Sequence, residues 1–129
     1  MATNEQKVHY LKYRDTGPIL EVSLKNPDET PFDLSGATAQ KLHILLNDNA
    51  TVLTRNMTVH GPPTDGVLRY TWIVTDWDAG QLIAGPTPPL KPTDREHRME
   101  YEVQFGATRL TFPNDGYHTL RVIADIGQS

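Results

Sequence analysis

With 129 residues, the chain has the length of one ordinary domain, since single domains run to roughly 100–150 residues, and it is long enough to bury a core without staples. It contains no cysteine, which excludes disulfides, zinc–thiolate sites and a cysteine nucleophile; a net charge of −4 and a pI near 5.6 lack the basic footprint of a nucleic-acid binder. Apolar runs reach about four residues where a membrane span needs about 20, residues 1–7 do not read as a signal peptide, and 10 prolines with 9 glycines interrupt the chain too often for a helical bundle.

The hydrophobic pattern has the period of strands, not helices. Short alternating runs are separated by turn residues, which points to an antiparallel sandwich or barrel. Val8 to Tyr13 reads as a first strand or an ordered arm, with Val8, Tyr10 and Lys12 on one side and His9, Leu11 and Tyr13 on the other. After Gly17-Pro18, Ile19 to Lys25 sends Leu20, Val22 and Leu24 one way. Residues 26–31 are a loop by composition. Thr38 to Leu46 is a strand with Leu42, Ile44 and Leu46 inward, Asn47-Asp48-Asn49 is a turn, and Thr51 to Val59 pairs back as one hairpin strand.

Beyond the loop at residues 61–66, Val67 to Thr75 places Leu68, Tyr70, Trp72 and Val74 on one face. Ile73 faces away, so this strand is expected to be covered on both sides. Asp76 is a fitting N-cap for a short helical turn over residues 76–82, with Trp77, Leu82 and Ile83 on its apolar side. Four prolines within Pro86–Pro92 cannot join a central strand, because each lacks the ladder donor. Residues 85–96 are therefore expected as an extended, polyproline-like loop. His97 to Phe105 alternates cleanly, with Met99, Tyr101, Val103 and Phe105 inward and Arg98, Glu100, Glu102 and Gln104 on a solvated face. Gly106-Ala107 turns into Thr108 to Phe112, Pro113 to Gly116 turns again, and Tyr117 to Ile126 closes the domain with Leu120, Val122, Ala124 and Ile126 inward. The result is one domain of seven or eight strands over residues 17–129, preceded by residues 1–16 as an arm or first strand.

Catalytic constellations are hard to find. Asp76 and Asp78 flank Trp77, but no calcium-loop pattern follows, so a cap and a solvated carboxylate are the plainer reading. Glu100 and Glu102 point the same way from one strand, unlike the opposed carboxyls of a glycosidase. His9, His43, His60, His97 and His118 show no i, i+2 or i, i+4 pair and read as unrelated. Ser23, Ser35 and Ser129 lie in no nucleophile elbow. Arg95, Arg98, Arg109 and Arg121 read as scattered solvated charges before they read as a patch for an acidic partner. Tyr70, Trp72 and Tyr101 fall on inward phases, which leaves Trp77 unassigned. A carbohydrate-binding module would need Trp77, with Tyr117, on an open flat face.

Several turns then carry a family likeness. Asp33-Leu34-Ser35-Gly36-Ala37-Thr38 leads into a strand at a tight turn where Gly36 can take a positive φ. Asp65 to Trp72, Met99 to Val103, Leu110-Thr111-Phe112-Pro113-Asn114-Asp115-Gly116-Tyr117 and Leu120-Arg121-Val122 follow in order. Over residues 17–126 the chain resembles the N-terminal domain of phage baseplate upper proteins and related tail-associated immunoglobulin-like modules. The resemblance implies an all-β, immunoglobulin-like antiparallel sandwich. It implies a virion building block, assembled in the host cytoplasm, that docks on other phage structural proteins as a homo-oligomer in a symmetric assembly. It brings no catalytic residues, cofactor or metal, and no nucleic-acid or membrane partner. In that family a stalk follows such a domain; none precedes Ser129, which favours docking over direct host adhesion. The residues expected to make partner contacts are Tyr10 and Tyr13 in the arm, Trp77, and Pro86, Pro88, Pro89, Leu90 and Pro92 in the Pro-rich loop. Binding of a host-surface glycan is the alternative.

Overall fold

The computed structural model describes residues 8–12, 15–46, 50–77, 82, 95–113 and 117–123. Among them run β1 (Val8–Lys12), β2 (Ile19–Ser23), β3 (Ala39–Leu45), β4 (Val52–Asn56), β5 (Thr58–Val59), β6 (Val67–Thr71), β7 (Arg95–Phe105), β8 (Thr108–Phe112) and β9 (His118–Ile123). They form two sheets. One has the order β1-β9-β7-β3-β4, with β8 also paired to β7; the other has the order β2-β6-β5. Alternation places one face of each sheet on the core: Leu20 and Val22 from β2 and Leu68 from β6 against Leu42, Ile44, Met99, Tyr101, Val103, Leu120 and Val122, all 4% exposed or less. Each such side chain contributes about 1.5–3 kcal/mol on burial. β2-β6-β5 facing β9-β7-β3-β4 has the arrangement of strands B-E-D facing G-F-C-C′ in an immunoglobulin sandwich. The chain is an all-β sandwich.

The strand pairs are antiparallel with one exception. β1 runs parallel to β9, with Val8 opposite Thr119 and Leu11 opposite Val122. Leu11 is buried while Val8 and Tyr10 are exposed, as the alternation requires.

One expected run is divided, which raises the strand number among the described residues to nine, and others end or pair differently than expected. The run expected from Thr51 to Val59 breaks at Met57, because the chain changes sheets there. β4 pairs with β3, and β5 pairs with β6. Met57 is buried at the switch, and its N–H donates to the Gln40 carbonyl at 2.9 Å. The run from Val67 stops at Thr71. A 3-10 turn follows at Val74–Trp77, earlier than the expected 76–82, so Val74 is 71% exposed and Ile73 49%; neither packs inward or is covered. β7 serves two partners along one edge: β9 pairs with Arg95–Met99 and β8 with Tyr101–Phe105. The interruption between β8 and β9 follows the cis peptide Phe112–Pro113.

Where the expected loop 85–96 ends, β7 has already begun at Arg95. The Asn47-Asp48-Asn49 turn, the remainder of the Pro-rich loop, Asp78, Ile83, residues 114–116, Ala124 and Ile126 lie outside the described residues.

Candidate docking surface

The outer face of the larger sheet follows from the same alternation. Register sets Val8, Thr119, Arg98, Leu45 and Val52 opposite one another in a row across five strands. Beside it His43 is opposite Glu100, with Thr54 beyond. At the centre lies a shallow groove of about 290 Å³ lined by His43, Leu45, Val52, Arg98, Glu100 and Tyr117. Its wall is partly aromatic: the Arg98 guanidinium stands 4.9 Å from the Tyr117 ring centroid, within reach of a cation–π attraction. Val52 is 57% exposed at one edge of the sheet and Tyr10 is 62% exposed at the other. The Arg121 guanidinium sits 5.6 Å from the Tyr10 ring.

Most charges on this face are neutralised within the chain. Arg121 Nε donates to Glu96 Oε2 at 2.8 Å. Glu102 lies 2.8 Å from His43 Nε2, accepts from Gln104 and sits 4.0 Å from Arg109. Those hydrogen bonds, Gln104 first and His43 next, hold the Glu102 carboxyl below the usual range. They also screen it, so Glu102 is only 6% exposed where the alternation predicts a solvated residue. Arg98, Arg109 and Arg121 are interleaved with Glu96, Glu100 and Glu102, and so form no single-sign patch. The Arg95 side chain lies outside the described residues.

The other groups singled out in the sequence are structural. Asp76 is 1% exposed. It accepts from Arg55 Nε at 2.7 Å, from the Tyr70 hydroxyl at 2.8 Å and from the Ile73 N–H at 2.9 Å. It is therefore the centre of a buried ion pair and not merely a turn cap. Register explains it: Arg55 is opposite Leu42 on the core-facing side of β4, which turns its guanidinium toward Asp76. Trp77 is 7% exposed, and its indole N–H donates to the Asp15 carbonyl at 2.9 Å. With Trp72 at 3%, neither tryptophan offers a stacking platform. The histidines are not all unrelated, because His9 Nε2 lies 3.3 Å from His118 Nδ1, itself 2.8 Å from the Tyr101 hydroxyl. His97 is buried against the Leu82 carbonyl. Among the described residues no group of three or more His, Asp or Glu side chains is placed to hold a metal ion. Among the described residues no helix is long and apolar enough to cross a membrane.

Of the expected contact residues, Tyr10 is at the surface and Trp77 is in the core. Tyr13, Pro86, Pro88, Pro89, Leu90 and Pro92 lie outside the described residues. The sequence reading missed the groove. Arg98, Glu100 and Tyr117 are each visible in the sequence, but their juxtaposition with Leu45 and Val52 depends on register, which no short-range signal carries.

No family model matches the chain, and no curated protein sequence matches it. A solved structure does: the N-terminal domain of phage TP901-1 ORF48, with a TM-score of 0.51 and 12% identity, covering 96% of this chain and 92% of that one. The two share a fold. The matched structure is itself an N-terminal domain of a phage protein, the kind of domain that the turns resemble.

Proposed function

We propose that the chain is a phage virion structural protein: an immunoglobulin-like module that docks onto other tail, baseplate, neck or capsid subunits in a symmetric assembly and performs no catalysis. The observation that carries this reading is the shared fold with a phage domain over 96% of the chain. The surface chemistry supports it, since the described residues offer a broad, charge-balanced sheet face. The contacts assigned to this role are Tyr10 at the exposed sheet edge and the Pro-rich segment, because extended segments often order on a partner. Glycan binding has no observation of its own, because Trp77, on which that reading depends, is buried.

Purified particles test the reading. The protein is expected at a fixed copy number per particle by quantitative mass spectrometry. Deletion of residues 86–92 is expected to leave the β-type circular dichroism unchanged and to lower that copy number. Particles that lack the protein overturn the role, and full occupancy by the deletion variant removes the loop from it.

A further inference from the structure

Arg98 and Glu100 stand side by side on the outer face of β7, two residues and so about 6.6 Å apart. Both are exposed. Of their neighbours, Glu96 is ion-paired with Arg121, and Glu102 is hydrogen-bonded to His43 and stands 4.0 Å from Arg109. Arg98 and Glu100 have no ion-pair partner among the described residues, and Arg98 meets only the Tyr117 ring. The centre of the face thus presents one positive and one negative charge, adjacent along a strand, beside a groove with the apolar walls Leu45 and Val52. Opposite charges spaced along a strand are self-complementary under a two-fold rotation, as an isologous interface requires.

We propose that this face is a self-association surface, on which two copies of the chain pack face to face with Arg98 of each against Glu100 of the other. A two-fold axis in the plane between the sheets, at the level of Met99, sets the two β7 strands antiparallel and brings both charge pairs together at once. The same operation sets Leu45 over His43 and Tyr117 over Thr119, since His43 and Leu45 are at the levels of Glu100 and Arg98 and Thr119 is at the level of Arg98. Counted over the residues of β1, β9, β7, β3 and β4, at about 3.3 Å per residue and about 4.8 Å between strands, the face is roughly 540 Å², below the about 800 Å² each partner contributes to a standard stable interface, so the dimer is a weak, reversible one. The proposal deepens the docking reading above and rests on it for taking this face as a contact surface.

The test is sedimentation velocity on the purified full chain over a concentration series, with R98E, E100R and the double variant R98E/E100R. Both sites are exposed, and circular dichroism with thermal melts verifies that each variant folds. The wild type is expected to form a discrete dimer. Each single reversal places like charge on like charge and weakens the dimer about tenfold or more. The double reversal restores the pairing with its polarity exchanged and returns the dissociation constant to within about threefold of wild type. A wild type that stays monomeric up to about 1 mM, single reversals without effect, or a double variant as weak as the singles overturns the proposal. Failure here is separable from failure of the virion reading: particles that incorporate a strictly monomeric chain overturn the self-contact alone, and a dimer absent from particles overturns the virion role alone.

Discussion

Asp76 shows what a single buried carboxylate demands. Its oxygens are satisfied by Arg55, Tyr70 and the Ile73 backbone. Burial, and then the bond to Asp76, push the Tyr70 hydroxyl well above its ordinary pKa, so it remains a donor. Removing the cation leaves the charge buried and uncompensated. R55M is therefore expected to cost about 3 kcal/mol in urea unfolding at neutral pH; a loss below about 1 kcal/mol would mean that the pair behaves like an exposed one. Gly66 is constrained by space as well as by angle. At φ +69°, a Cβ there would meet the Phe32 carbonyl oxygen at 2.6 Å, so G66A is expected to cost at least about 2 kcal/mol. Gly106 has φ +59° but open surroundings, and G106A is expected to cost only about 1 kcal/mol; equal losses in the two melts would contradict the steric account. At Glu102 the charged form is stabilised by Gln104 and His43, so its native pKa is below the ordinary 4.5. Its contribution to stability is complete above that value and is lost as pH falls through the lower native one. E102Q should flatten this part of the acid limb in a stability–pH profile, and an unchanged limb would refute it.

At the scale of elements, strand existence was legible and strand continuity was not. Leu20-Val22, Leu42-Ile44-Leu46 and Met99-Tyr101-Val103 alternate strictly, and all are buried, because a half-buried strand writes its period into the sequence. Met57 carries no such mark: it keeps the phase of Leu53 within the expected run, and only the pairing of Thr58 with Arg69 shows that the chain has crossed to the other sheet. Trp72 likewise continues the alternation of β6 past the strand end, since it packs in the core from a non-strand backbone. In sequence β1 fits an arm as well as a strand, because its run is five residues long and its Tyr10 is on the open side. Its hold on the domain depends on Leu11, 4% exposed. L11A is expected to lower stability by about 2–3 kcal/mol and to speed hydrogen exchange of the β1 amides before those of β3 and β7. Uniform acceleration in all three strands would mean that β1 unfolds only with the whole domain.

At the scale of the whole molecule, composition and turn chemistry reached the fold class, while the docking face stayed hidden because it exists only after β1, β9, β7, β3 and β4 align in register. That face and the core rest on different physics. The core is aliphatic and aromatic, whereas the exposed ion pairs Glu21–Arg69 and Glu96–Arg121 contribute little to folding; Arg55–Asp76 is shielded from solvent by its burial. Raising salt from 0.1 M to 1 M shortens the screening length from about 10 Å to about 3 Å. Stability is then expected to hold, with the melting temperature moving by roughly 3 °C or less. Association through Arg98 and Glu100 should weaken over the same range, and the single charge reversals, which replace attraction with repulsion, should show the opposite salt trend. A melting temperature that follows the association constant with salt would mean that the face stabilises the folded domain itself, and the separation of folding from docking would not hold.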